Sequence, residues 1–132
     1  MTSVDWKHPT WRDGTPVLLG QMGVFLYEDG TEKALLIDFA SSVHPDEVSI
    51  WHHGAELGPD DCVMPLPILD RENPADIAAT FEWAAEGQKV TCNVTIGESH
   101  AERSDSDPIS ALREAATAAG VRRLQARARS AQ

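Results

Sequence analysis

Residues 72–87 read ENPADIAATFEWAAEG, and the structure assigned to them decides how many layers the fold has. The local signals predict a helix. Asn73 is a good N-cap, Pro74 suits the first helical position, and Asp76 falls in the first turn, where a carboxylate meets free N–H groups. Gly87 supplies a stop. Ile77, Phe81 and Ala84 or Ala85 then form the buried stripe, and Trp83 falls off it with part of its ring in water.

Downstream, KVTCNVTIG at 89–97 alternates strictly. It predicts a strand with Val90, Cys92, Val94 and Ile96 inward and Thr91, Asn93 and Thr95 outward. ESHAERSDSD at 98–107 reads as a polar, acidic loop. DPISALREAATAAG at 107–120 predicts a second helix, capped by Asp107, carrying Ile109 and Leu112 inward and ended by Gly120.

Upstream, the apolar runs VLLGQMGVFLY (17–27) and EKALLIDFA (32–40) flank Asp29-Gly30, a strong hairpin signal because Gly accepts the positive φ of a tight turn. Pairing across that turn places Phe25 near Ala34 and Val24 near Leu35. Gly20 and Gly23 mark a bulge or a break. VSIWHH (48–53) predicts a short third strand with Val48, Ile50 and His52 on one face and Trp51 on the other. Residues 54–72, rich in Gly and Pro, predict an irregular connection, with VMPLPIL as an edge strand limited by its prolines.

The expected fold is therefore α+β: an antiparallel sheet of about four to five strands, in the order β-β-β-(β)-α-β-α, with two helices packed on one face. Residues 1–16 form an extended arm whose Trp6 and Trp11 pack onto the body, residues 17–120 form a single domain, and residues 121–132 form a basic tail. Length supports this, since 132 residues suffice for one real core.

Charge narrows the partners. The chain carries 21 Asp and Glu against 11 Lys and Arg, a net of −10. Every acid precedes Val121, and VRRLQARARSAQ at 121–132 holds four arginines and no acid. Such a surface repels phosphate backbones and favours basic proteins, so nucleic acid is not the expected partner. No apolar run approaches a membrane span and the N-terminus lacks the apolar stretch of a signal peptide, so a cytoplasmic protein without membrane contact is expected. Cys62 and Cys92 are expected as free thiols.

No motif for chemistry emerges. His44, His52, His53, His100 and Cys62 match no metal-ligand spacing, and only tertiary folding could gather them on an ion. If residues 48–53 stay extended, His52 and His53 point to opposite faces. Asp60 and Asp61 disfavour a thiolate at Cys62. Asp38 is the anomalous acid, set within LLIDFA. No catalytic residue, cofactor or metal is assigned. Trp51, His53, Asp60, Asp61 and Trp83 are the candidate partner-binding residues, because aromatics anchor interfaces and acids steer basic partners.

In size and charge, though in no motif, the chain resembles small bacterial immunity proteins, antitoxins and secretion chaperones. That resemblance implies a non-enzymatic bacterial or phage protein that binds a partner protein. The alternative is a small enzyme or ligand-binding domain with a pocket between sheet and helices, built on Asp38, His52 and Cys92 or the 54–72 loop. Homodimerisation through a sheet edge or the last helix is compatible with either.

Overall fold

The computed structural model describes residues 8–30, 32–42, 47–52 and 55–130. The chain divides into two compact units, residues 1–67 and 68–132. The expected single sheet with two helices is not what forms. Among the described residues there are three sheets, of three, two and three strands, and one α-helix, C-terminal to all of them.

In the first unit, β1 (Met22–Asp29) and β2 (Glu32–Phe39) form the anticipated hairpin. Its register is displaced by two residues, with Phe25 opposite Leu36 and Val24 opposite Ile37. The reason is the position of the turn: Asp29 already pairs with Glu32, and Gly30 begins the loop at a φ of 70°. A two-residue displacement keeps every side chain on its expected face. β5 (Cys62–Pro65) pairs antiparallel with the other edge of β1, with an irregularity between Val24 and Phe25. This is the proline-limited edge strand. The connection before it is less irregular than its composition suggested, because β3 (Ile50–His52) and β4 (Ala55–Leu57) form a small antiparallel ribbon.

Trp11, Val17, Phe25, Ala40, Ile50, Leu57 and Cys62 make the core of this unit, with Tyr27, Leu36 and Val48 packed against it. Trp11 is buried, as expected of the arm, whereas Trp6 lies outside the described residues. The Trp11 ring occupies the space over Gly23, where a Cβ would overlap the ring and come within 2.6 Å of the Met64 carbonyl oxygen. Gly23 is therefore neither bulge nor break. It is the floor on which the indole rests.

The second unit contains the main correction. Asn73 does cap, accepting from the Ala75 N–H at 3.1 Å, but only a single 3-10 turn follows, at Pro74–Asp76. The chain then extends as β6 (Ile77–Trp83). β6 pairs with β7 (Val90–Ile96), and β7 with β8 (Ser99–Asp105), all antiparallel. Two features outweigh the helix signals. IAATFEW also has a period of two, with Ile77, Ala79 and Phe81 half-buried and Ala78, Thr80 and Glu82 exposed. Its Ile, Thr, Phe and Trp are residues that fit a pleated surface beside the strongly alternating β7. Gly87, at a φ of 70°, serves the β6–β7 turn and stops no helix.

β8 replaces the expected acidic loop. Only Ala101 of this strand is buried, so its hydropathy carries no alternation to read. Gly97, at a φ of 60°, starts the tight turn from β7. The inward face of β7 is fully buried, as the alternation required, and its other face stays partly wet.

Helix α1 (Pro108–Ser130) packs across β7 and β8. Asp107 caps it, accepting from the Ser110 N–H and hydroxyl at 3.2 and 3.0 Å. Its buried face is Ala111, Leu112, Ala115, Ala116, Ala119 and Gly120, small residues that let the helix lie close to the sheet. Gly120 does not end the helix. A Cβ there would meet Ile68 at 3.0–3.3 Å, so glycine serves packing, and α1 continues through the basic segment to Ser130. No helix among the described residues is long and apolar enough to cross a membrane.

Candidate functional site

The acidity belongs mainly to the first unit. Residues 1–67 hold 11 acidic side chains against 3 basic, a net of −8, whereas residues 68–132 hold 10 against 8, a net of −2. Asp13, Glu28, Glu32, Glu56 and Asp60 of the first unit are exposed.

On this unit one turn displays apolar side chains. Leu18 and Leu19 are 60% and 61% exposed, and Phe39 is exposed as well. The turn runs from Leu18 to Gln21 and closes with a hydrogen bond from the Gln21 N–H to the Leu18 carbonyl at 3.0 Å. Gly20 has a φ of 84°, which the third position of a type II turn requires. The Gln21 side chain then locks it. Its Oε1 accepts from the Leu18 N–H and from the indole N–H of buried Trp11, both at 3.0 Å. Ala40 clamps the other side, accepting from the Gly20 N–H at 2.6 Å and donating to the Gln21 carbonyl at 2.9 Å. Two leucines left mostly in water forgo on the order of 1 kcal/mol or more each of burial energy, and here a rigid turn holds them there. Composition offered no route to this feature, since VLLG reads simply as part of an apolar strand.

The predicted partner-binding residues do not converge. Trp51 is half-buried on the face of β3 opposite Ile50, with its indole N–H donating to Ser49 Oγ at 2.8 Å. A bridge pairs Ser49 with Ser41, next to Ala40, and so ties Trp51 to the strand end that clamps the Leu18–Gln21 turn. Asp60 is exposed, but Asp61 is structural, its Oδ2 accepting from the Gly58 N–H at 3.0 Å. His53 lies outside the described residues, as does His44. Trp83 is 61% exposed and belongs to the second unit.

Two residues of the alternative reading do meet. Asp38 is buried on the core side of β2, and its Oδ2 lies 2.6 Å from His52 Nδ1. Its Oδ1 accepts from the Phe39 N–H, and the His52 ring stands edge-on to Tyr27 with centroids 4.7 Å apart. A carboxylate on Nδ1 fixes the tautomer and orientation of an imidazole, an arrangement shared by catalytic and purely structural histidines. Neither cysteine adds a nucleophile. Burial, then the charges of Asp61 and Asp60, push the Cys62 thiol up to about 11, and burial alone pushes Cys92 to about 11. Cys92 sits in the second unit, on the inward face of β7. Among the described residues, no three His, Cys, Asp or Glu side chains gather as a metal site would need.

The second unit contains a charge cluster with a structural role. Glu72, with only 4% of its side chain exposed, receives Arg127 at 2.9 and 3.1 Å and faces Arg123 Nε at 3.6 Å. The Arg123 guanidinium lies where a Cβ on Gly97 would stand, and Arg122 donates to the His100 carbonyl. The basic segment is thus built into the fold. No family model matches the chain, and neither does any curated protein or solved structure.

Proposed function

We propose that this chain is a non-enzymatic binding protein, in an accessory role of the immunity, antitoxin or chaperone kind, and that its first unit engages a basic protein partner. The supporting observation is the Leu18–Leu19 pair, held in water by a turn with little freedom left to lose on binding. Pre-organised apolar side chains anchor an interface at low entropic cost. The surrounding net charge of −8 speeds encounter with a basic surface and rejects acidic ones. Trp51, Glu56 and Asp60 extend the same unit's contact surface under this reading.

The test is affinity capture with wild type and with Leu18→Ser/Leu19→Ser. A stoichiometric basic partner should be recovered from the native host, and the double variant should lower its recovery at least about tenfold, the loss expected for two anchoring residues. Raising the salt should slow its association. Equal recovery with the double variant, or an acidic partner, would overturn the proposal.

The second reading, a small enzyme, has one observation in its favour, the Asp38–His52 pair. It predicts that His52→Gln abolishes an activity while leaving partner capture intact. The binding reading predicts that His52→Gln alters only the packing between β2 and β3.

A further inference from the structure

β6 is an outer strand of its sheet, and its own sequence lacks the usual edge protection. β7 pairs with one side, and no strand among the described residues pairs with the other. Natural edge strands are commonly short, bulged, or interrupted by lysine or proline. β6 runs seven residues, IAATFEW, with regular pairing to β7, no proline, no lysine and a single charge at Glu82. The opposite edge strand, β8, carries Glu102, Arg103 and Asp105 within the same length.

The ladder determines which groups face outward. Ala84 N–H donates to the Lys89 carbonyl, and Gly97 N–H to the Asp76 carbonyl, each at 2.9 Å. Even-numbered residues of β6 therefore direct their backbone groups at β7, and Ala79, Phe81 and Trp83 direct theirs at the open edge. The Ile77 N–H is already engaged by the Pro74 carbonyl.

This edge is complementary to itself. Two copies paired antiparallel about Thr80 place Ala79 opposite Phe81 of the second copy and Ile77 opposite its Trp83. All four are odd-numbered, as hydrogen-bonded pairs across this edge must be, and because the Ile77 N–H is taken its pair keeps only the bond from the Trp83 N–H to the Ile77 carbonyl. Each large ring then meets a smaller neighbour, and Trp83, otherwise 61% exposed, gains Ile77 as cover. On the other face Thr80 meets Thr80, a favourable cross-strand pair. The only acid, Glu82, meets Ala78 and not a second carboxylate, so no like charges oppose. Centring on Phe81 would instead set Glu82 against Thr80 and Trp83 against Ala79, with fewer pairs. Centring on Ala79 would leave Trp83 without a partner.

We propose that two copies of this chain associate through β6 in that register, joining their three-stranded sheets into one six-stranded sheet about a twofold axis. The contact is isologous and closes on itself, so it yields a dimer and no filament. Its size lies near the lower end for specific interfaces, below about 1,200 Å², and a dissociation constant on the order of 10 µM is expected. The Leu18–Leu19 turn belongs to the other unit, and the two proposals stand or fall separately.

Sedimentation equilibrium on the full chain, with cysteine cross-linking, tests this. Wild type should dimerise in the micromolar range. Thr80→Lys changes an exposed side chain and sets two cations face to face at the axis, so it should weaken the dimer at least about tenfold. Thr80→Cys should form a disulfide-linked dimer under mild oxidation, because directly opposite residues of a non-hydrogen-bonded pair stand about 4.5 Å apart at Cα. Ala78→Cys and Glu82→Cys should each cross-link poorly alone and efficiently when mixed. A wild-type monomer throughout the micromolar range, a dimer indifferent to Thr80→Lys, or equal cross-linking at positions 78 and 80 would each overturn the proposal.

Discussion

The two units solve the same packing problem with opposite materials. The first is built on bulk: Trp11 over Gly23, 5.2 Å from the Phe25 ring, with Ile50 and Leu57 closing the cluster. The second is built on closeness: a helix face of four alanines, Leu112 and Gly120 laid against the buried side of β7. Large rings need a shaped receptacle, whereas small residues need only that nothing protrude. The two cores should therefore respond differently to the same change.

Adding one methyl group to a glycine in each core is the sharpest way to break that contrast. Gly23→Ala has no room, because its new Cβ meets an indole wedged in the core and a backbone carbonyl, neither of which can step aside. It should lose about 3 kcal/mol, the upper range for overpacking, in urea titrations of the purified variant. The nearest atoms that Gly120→Ala meets are the branches of the Ile68 side chain at 3.0–3.3 Å, and alanine gains about 1 kcal/mol of helix propensity over glycine. Its unfolding free energy should change by less than about 1 kcal/mol, and an equal loss at both positions would remove the distinction between the cores.

Each unit also buries an acid. Asp38 in the first unit and Glu72 in the second are both buried acids, each with cationic or ring-nitrogen partners. Glu72→Gln leaves Arg123 and Arg127 facing a neutral amide. Both guanidiniums keep some solvent, so the expected loss is about 2 kcal/mol, below the value for a fully buried pair. Chemical denaturation of this variant at low and high salt should give similar losses, because the carboxylate itself is screened little.

The smallest effect comes from the thiols, one in each unit. Cys62 and Cys92 each bind their proton more tightly in the folded chain, up to about 11, than the ordinary thiol value of 9.0. The native state thus holds more protons than the unfolded state between those values, and stability falls as pH rises through them. Urea midpoints should decline from pH 9 toward pH 11, and Cys62→Ala/Cys92→Ala should flatten part of that decline. Neither thiol should react with a disulfide reagent near pH 8 until the chain unfolds.

How legible all this is from the residues depends on how locally each feature is determined. β7 announces itself, because both of its faces differ in polarity and it lies in the centre of its sheet. The β1–β2 hairpin is readable for the same reason, down to the faces though not the register. β6 is hidden behind an excellent helix start, since Asn73 and Pro74 serve one 3-10 turn as well as they serve a helix. β8 is hidden because an edge strand with one buried residue has no periodicity to show. The Asp38–His52 pair joins residues 14 apart, and the Gln21 lock depends on where Trp11 comes to rest. Such contacts are products of tertiary folding. Of the five residues read as a partner site, Trp83 is exposed although the helical stripe that suggested it does not form, because it ends strand β6, and the service of Asp61 to the Gly58 turn has no local signal.

The continuation of α1 through Arg122, Arg123, Arg127 and Arg129 makes the basic segment part of the second unit's architecture. A dangling basic segment could be clipped by a protease with no harm to the rest. Here a cut after Gly120 would take both cations away from Glu72 and with them part of the helix that packs beside it. Removing residues 121–130 should therefore destabilise the second unit, where trimming a segment without contacts would leave it unchanged.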